Sequence, residues 1–412
     1  MLRTETAIKL LRLAWICPYF PWPLNSGGRL RIHHLASGLA DHELLLFAYP
    51  SPDDVFPDAD QLAAPAPFPW SQRQCFQPDD WRRYDEPGLP SSATRTPSAL
   101  NEALQSSHAQ RPFDAVIIEH SYTAGGLRPP PGVPLILNEH NIESEYHRLR
   151  ALRARSLRLG IEYLAWSRFE RRTWSRMTAV TAVSAADAAM IQRAGRHEVR
   201  VVENAIASDG FEFHPPSTRR SGEVLFLGHL AYEPNVLAAK RLALDVMPRL
   251  RQRHPHATLT VAGRCPNREV QALASPVVQV LANPEDIRPL YRRAQVACFP
   301  LELGAGTSLK ILEPLLCGVP LVATRFATRG WSLEPGTHYI LAESIAELAE
   351  SIAASLDAPH RFDSQAARGL AFVQAHTWSQ SAAQLAHLVR SVAKSQRSPS
   401  ERDRPQPARP PA

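Results

Sequence analysis

"GAGTSLKILEPLLCGVPLVATRFATRGW", residues Gly304 to Trp331, joins a glycine turn, an apolar helical run and a short strand. Two glycines flank Ala305, and the run behind them carries one lysine, Lys310, and one glutamate, Glu313. It stops at Gly318-Val319-Pro320 and is followed by strand-like Leu321 to Thr324. Lys310 and Glu313 are three residues apart and share one helical face. Glycines let a backbone approach a phosphate, and the free N–H groups of a following helix favour an anion. Two readings stay open on these residues alone. One is a solvated surface pair worth a few tenths of a kcal/mol; the other is a lysine meeting a diphosphate and a glutamate accepting ribose hydroxyls.

Working outward, the same alternation recurs along the chain. "EVLFLG", "ATLTVAG", "VVQVLA" and "VACFP" read as buried strands separated by helices at Asn235 to His254 and Ile287 to Ala294. Upstream, Leu11 to Cys17 and Glu43 to Tyr49 are strands around "NSGGRLRIHHLASGLADH", a glycine turn entering a helix. "FDAVIIEH" and "VPLILNEHN" are near-continuous apolar runs of buried-strand type. An Arg-rich helical stretch from about Ile142 to Arg176 follows. Next come a strand ending at Ser184, a helix that Ser184 and Asp187 cap, and "VRVVENAI". Pro50 to about Pro112 reads as loops with one or two short elements. Strand–helix alternation of this kind specifies parallel sheets covered by helices. The polar, proline-containing "ASDGFEFHPPSTRRSG" divides two such halves.

Length and composition agree with two globular domains: 412 residues, 44% hydrophobic and 21% charged. A net charge of +6 weakly favours an anionic partner. Five scattered cysteines with no C-x-x-C pair suit a reduced cytosolic protein and give no zinc signature. No apolar run approaches the roughly 18–20 residues of a membrane span. "IKLLRLAWICPYFPWP" is read as a first strand rather than a signal peptide, since its apolar stretch is short and ends in Pro18.

In open parallel sheets, ligands sit outside the carboxyl ends of the strands. Asn25–Gly28, Gly228–Asn235 and Gly304–Lys310 are the loops at such ends. With "PYFPWPLNSGGRLR", "LILNEHNIES", "FLGHLAYEPNV" and "GAGTSLKILEPLLCGVPLVAT" in this order, the chain resembles the family 4 (group 1) glycosyltransferases from Leu11 to about Leu385. The resemblance implies the GT-B fold: two Rossmann-like α/β domains facing across a cleft. It implies an acceptor domain over 1–206 joined by a late helix at about 376–393 and a donor domain over 207–375; the Pro/Ser/Arg composition of 394–412 reads as a disordered tail. The implied activity is transfer of a sugar from a nucleotide-sugar donor to a glycan or lipid-linked acceptor, with retention and with neither metal nor cofactor.

Residue by residue, the resemblance gives Gly27 and Gly28 to the loop facing the donor phosphates and sugar. His140 becomes the histidine near the transferred sugar, the catalytic candidate. Glu313 becomes the ribose-binding second member of a glutamate pair, with His229, Gly306, Thr307 and Lys310 as further donor contacts. The chain departs from the family in three places: the first glutamate of the pair is Ala305, and the usual phosphate-gripping Arg and Lys are His229 and Asn235. Lys310 and backbone N–H groups then carry the diphosphate. These departures keep a degenerate sugar-nucleotide-binding protein in view as an alternative; a GT-B-like sugar-nucleotide epimerase is a second. Without the resemblance, His140 is a satisfied polar residue at a strand end; His120 is a lesser cleft candidate, and His33 and His34 are solvated.

"HRLRALRARSLRLGIEYLAWSRFERRTWSRM" holds nine arginines against two glutamates, with interleaved Leu, Tyr, Trp and Phe. Two readings stand beside each other. The segment, Arg148 to Arg176, lies on an anionic membrane surface as a peripheral contact at the inner face of a cytoplasmic enzyme's membrane. Otherwise it is a helix with a solvated basic face. No nucleic-acid-binding module accompanies the arginines.

Overall fold

The computed structural model describes residues 10–24, 26–49, 69–76, 90, 96–196 and 198–395. Near-continuous apolar strands cannot face water on either side, so each becomes a sheet interior with helices on both faces. The first half is built that way. It contains β1 (Arg12–Cys17), α1 (Gly27–Ser37), β2 (Glu43–Ala48), β3 (Gln72–Cys75), α2 (Ser98–Gln110), β4 (Ala115–Glu119) and β5 (Leu135–Asn138). Then come α3 (Glu143–Ala154), α4 (Leu157–Arg176), β6 (Ala179–Ala182), α5 (Ala185–Arg193) and β7 (Val199–Val201). All seven strands are parallel, in the order β3-β2-β1-β4-β5-β6-β7.

The second half repeats the plan with β8 (Glu223–His229), α6 (Glu233–Lys240), α7 (Met247–Arg253), β9 (Thr258–Arg264), α8 (Arg268–Gln271) and β10 (Val278–Ala282). It continues with α9 (Arg288–Arg293), β11 (Val296–Phe299), α10 (Leu312–Cys317), β12 (Leu321–Ala323) and β13 (Ile340–Leu341). Three helices end the described chain: α11 (Ile345–Asp357), α12 (Asp363–Gln374) and α13 (Trp378–Ser395). The parallel order is β10-β9-β8-β11-β12-β13. In each sheet the strand order reverses beside the first strand: between β1 and β4, and between β8 and β11. Those two points are where a doubly wound sheet opens a crevice for ligand.

The last helix belongs, by packing, to the first sheet. Leu385, Ala386 and Val389 of α13 are buried in the same cluster as Leu13, Trp15, Ile32 and Leu35. A Cβ on Gly38 would lie 2.6 Å from the Ala382 Cβ, so the glycine permits this approach.

Four expectations change in detail. The Arg-rich stretch is two helices, not one: Arg155 adopts φ +48°, a left-handed cap that ends α3 before Ser156 starts α4. The helix expected from Asn235 starts at Glu233 and contains a π-helical turn, Arg241–Val246. The tail boundary at 394 falls inside α13, which runs to Ser395; the rest of the expected tail lies outside the described residues, as does Asn25. Between 50 and 112, one of the elements is the full helix α2, longer than expected. Among the described residues no helix is long and apolar enough to cross a membrane.

Candidate active site

The loop after β5, the start of α1 and the segment after β7 of the first half meet the segment after β11 of the second. Gly27 and Gly28 are not in a loop but form the first turn of α1, capped by Ser26. A Cβ on Gly28 would lie 2.2 Å from the Tyr19 hydroxyl and 3.7 Å from His140 Nδ1. A Cβ on Gly27 would lie 3.2 Å from Leu309 of the other half. Gly306 adopts φ +62°, and a Cβ there would lie 2.5 Å from the His140 carbonyl oxygen. Thr307 Oγ1 accepts a hydrogen bond from Asn204 Nδ2 at 2.8 Å. The structure thus brings Gly27, Gly28, His140, Gly306 and Thr307 together at the paired reversal points.

His140 follows β5 and is buried, its Nε2 lying 2.5 Å from Glu119 Oε2. Its ring packs 4.0 Å from that of His120, centroid to centroid. Burial, and next the Arg31 guanidinium, hold the His140 pKa well below the usual histidine range. His120 sits at φ +63° with its ring stacked on Tyr122 and its Nε2 3.3 Å from the Tyr19 hydroxyl. The expected solvation of His33 and His34 does not hold fully: both are half-buried, and His34 stacks on Trp378 of α13.

Lys310 and Glu313 meet each other. Lys310 Nζ donates to Glu313 Oε1 at 2.8 Å, and the buried Tyr291 hydroxyl donates to Oε2 at 2.6 Å. Lys310 lies in a single 3₁₀ turn, Leu309–Ile311, ahead of the short helix α10. Glu313 is only 7% exposed, which is unlike a freely solvated surface pair. His229 ends β8, and Asn235 turns back to donate its Nδ2 to the His229 carbonyl at 3.0 Å. A Cβ on Gly228 would lie 2.8 Å from Asn235, so this amide supports the loop.

Several residues at this junction carry no sequence signal of their own. Arg329 brings its guanidinium to 3.2 Å from where a Gly304 Cβ would project and stacks 4.0 Å over the Phe326 ring. Tyr232 reaches the Ala305 backbone. Trp331 donates from Nε1 to the Ser308 carbonyl at 3.1 Å. Across the halves, Arg150 pairs with Glu233 at 2.8 Å and Arg153 with Glu302 at 3.0 Å. Among the described residues no group of three His, Cys, Asp or Glu side chains is placed to hold a metal ion.

Three carboxyl groups converge behind His140. Glu170 of α4 accepts from the Glu143 and Ser144 N–H groups that open α3, at 2.6 and 3.2 Å. Glu139 accepts from Trp174 Nε1 and the Ser121 N–H. Burial pushes Glu143 up to about 7 and Glu139 up to about 8, while hydrogen bonds to each oppose the shift. A carboxyl raised in the folded state holds its proton where the unfolded chain has lost it, so stability falls as pH rises from about 4.5 through 7–8. The slope approaches about 1.4 kcal/mol per pH unit for each group in that window. Wild type is expected to melt lower at pH 8 than at pH 6, and Glu143→Gln to narrow that difference. An equal difference in the two proteins would mean that Glu143 is already ionised.

Two parallel-sheet α/β domains with facing reversal points define the GT-B class of architecture. The family description "Glycosyl transferase 4-like domain" matches residues 26–205, and "Glycosyl transferases group 1" matches residues 221–358. The chain belongs to the group 1 glycosyltransferases. It is 28% identical over 176 residues to a glycogen synthase of Mycobacterium tuberculosis, covering 40% of this chain and 41% of that protein. The chain thus spans about two fifths of the length of the curated relatives it matches. Among solved structures it is similar to Anabaena Alr3699/HepE in complex with UDP, with TM-score 0.62, 16% identity, and 92% and 100% of the two chains covered. It is also similar to sucrose-phosphate synthase from Thermosynechococcus elongatus, with TM-score 0.65, 15% identity, and 93% and 100% covered. WaaG, a glycosyltransferase involved in lipopolysaccharide biosynthesis, matches with TM-score 0.64 at 15% identity over 91% and 99%.

Proposed function

We propose that this glycosyltransferase moves a sugar from a nucleoside-diphosphate donor to a hydroxyl of a glycan or lipid-linked acceptor, with retention and without an essential metal. The observation that carries the reading is the meeting of Gly27, Gly28 and His140 with Gly306 and Thr307 at the two reversal points. Residues 207–375 hold the nucleotide and residues 1–206, with α13, hold the acceptor. Lys310 and Arg329 supply the positive charge that His229 and Asn235 do not. Glu313 accepts the ribose hydroxyls, and His140 meets the transferred sugar. Fixed donors aimed at the departing diphosphate stabilise it without reorganisation. UDP and UDP-glucose, found with the HepE structures, are the first donors to try.

A thermal-shift screen against nucleoside diphosphates and their sugar conjugates, run in EDTA, tests the reading. A rise in melting temperature with one nucleotide series, and transfer from its sugar conjugate, is expected. Transfer abolished by EDTA and restored by manganese would overturn the metal-free part. Ala305 favours a second reading, a sugar-nucleotide-binding protein that no longer transfers. Tight nucleotide binding with neither hydrolysis nor transfer would select it.

We infer further that the acceptor lies at an anionic membrane on the cytoplasmic side. Leu157, Ile161 and Leu164 of α4 are exposed at 89%, 68% and 46%, beside exposed Arg155 and Arg158. Only the later part of α4 buries its apolar face, through Trp166, Phe169 and Trp174. A basic charge near an anionic surface is worth about 1 kcal/mol, so reversing Arg155 and Arg158 should cost tenfold or more in vesicle partitioning. Arg153 is left intact because it pairs with Glu302. Undiminished binding of the double variant to phosphatidylserine vesicles would leave this face merely solvated.

A further inference from the structure

Glu119 is a fully buried carboxyl at the end of β4, and two N–H groups and one histidine ring nitrogen converge on it. Trp15 Nε1 lies 2.6 Å from Oε1, while Asn138 Nδ2 and His140 Nε2 lie 2.8 and 2.5 Å from Oε2. The Asn138 amide cannot be turned the other way. Its Oδ1 already accepts from Arg31 at 2.9 Å and from Thr181 Oγ1 at 2.7 Å, which leaves Nδ2 to face Glu119. Arg31 is itself only 1% exposed, and its other acceptors, Asn204 Oδ1 and the Glu203 carbonyl, are neutral.

Charge balance then fixes the protons. Burial lowers Arg31 only to about 10, so it is a cation at neutral pH, and Glu119 is the carboxylate whose charge supports it. Burial raises the Glu119 pKa, but the Asn138 and Trp15 hydrogen bonds and the Arg31 charge oppose the rise; a buried cation without a counter-charge is costly, so Glu119 is ionised. An ionised carboxylate only accepts hydrogen bonds, so Nε2 of His140 must carry a hydrogen. A second proton on Nδ1 is opposed by burial and by Arg31; the neighbouring His120 ring and the Tyr19 hydroxyl add no negative charge to offset this, and the Glu119 charge is shared with Arg31 through Asn138. The remaining nitrogen, Nδ1, lies on the Gly28 side, 3.7 Å from where a Cβ would project and beside the space that the Tyr19 hydroxyl borders.

We propose that Glu119, balanced by Arg31 through Asn138, is a positioning residue that locks His140 in the neutral Nε2–H tautomer. Its unprotonated Nδ1 is then a fixed hydrogen-bond acceptor that selects a sugar presenting a free hydroxyl at that point. The tautomer stands on this chain's residues alone, whereas the selection of a hydroxyl rests on the glycosyltransferase reading above. The arrangement excludes His140 as a proton donor or cation in the reaction. It also makes a donor sugar lacking that hydroxyl a poor substrate, because a buried acceptor is left unpaired.

The test uses the full chain labelled with ¹⁵N-histidine, with His140 assigned among the sixteen histidines by difference from His140→Asn. Two-bond ¹H–¹⁵N correlation distinguishes the two tautomers and the imidazolium. The expected result is an Nε2–H pattern unchanged between pH 8 and pH 6, replaced by a tautomer mixture in Glu119→Gln. An Nδ1–H pattern, an ordinary histidine titration, or an unaltered tautomer in folded Glu119→Gln would overturn the proposal. If Glu119→Gln does not fold, the wild-type spectrum decides alone. With an active donor in hand, Glu119→Gln should lower kcat by roughly ten- to a hundredfold with donor KM changed less than about threefold. A loss confined to KM would overturn the positioning role while leaving the transferase reading intact.

Discussion

Replacing Gly306 by Ala is expected to reduce kcat/KM by about a hundredfold or more while leaving the protein folded. The residue adopts φ +62°, where any side chain costs roughly 1–2 kcal/mol. The new Cβ would also lie 2.5 Å from the His140 carbonyl and 2.2 Å from Asn141 Oδ1. A flexible side-chain tip can move aside, but the carbonyl belongs to the backbone that holds His140. The glycine loop must therefore withdraw from the first domain, and a displacement near 1 Å at a reacting centre costs about a hundredfold. Each sheet keeps its own core, so the loss of stability should stay near the strain term alone. Steady-state kinetics beside thermal melts check this, and near-native turnover would remove Gly306 from the site.

The second large effect is expected at Lys310 and Glu313. Lys310→Met removes a charge-assisted contact worth about 1.5–3 kcal/mol, or roughly ten- to a hundredfold in nucleotide affinity. Glu313→Gln keeps the shape and the Tyr291 contact but weakens acceptance of ribose hydroxyls. Its effect should appear with a nucleoside diphosphate and vanish with pyrophosphate. In the structure the two side chains bond each other, so a bound nucleotide would have to share both with their present partners. A pair with no ligand role predicts native affinity, with any loss confined to stability because Glu313 is buried and held by Lys310 and Tyr291. Calorimetric titration of both variants separates the outcomes.

The inner strands of both sheets were legible because burial on two faces forces unbroken apolar runs such as "AVIIE" and "EVLFLG", whereas polar "QRQC" of β3 and the two-residue β13 at the sheet edges leave no such mark. The site was legible where backbone chemistry leaves a mark: glycines at 27, 28 and 306, and a histidine closing a strand. Lys310 and Glu313 were visible as neighbours, but spacing on one helical face does not say that Tyr291, from α9, completes the set. The break at Arg155 was hidden because an arginine in a left-handed cap looks like any other arginine in a basic run. The Glu119, Asn138, Arg31 and Asn204 network comes from β4, β5, α1 and the segment after β7, so only the fold assembles it. Arg329 is hidden for the same reason: its nearness to Gly304 is a tertiary fact.

The bond from Asn204 to Thr307 and the Arg150–Glu233 and Arg153–Glu302 pairs tie the two halves directly over the glycine loop. On the donor-site reading proposed above, a diphosphate would reach that backbone once these ties let go. Exposed ion pairs are worth about 0–1 kcal/mol each and a neutral hydrogen bond about 1. The gate therefore costs a few kcal/mol, and the open population is of order 0.1–10%. Observed affinity is then the intrinsic value scaled by that fraction, and salt is expected to work in opposite directions: it frees the doorway by screening the two ion pairs and loosens the grip proposed for Lys310 and Arg329 on the guest inside.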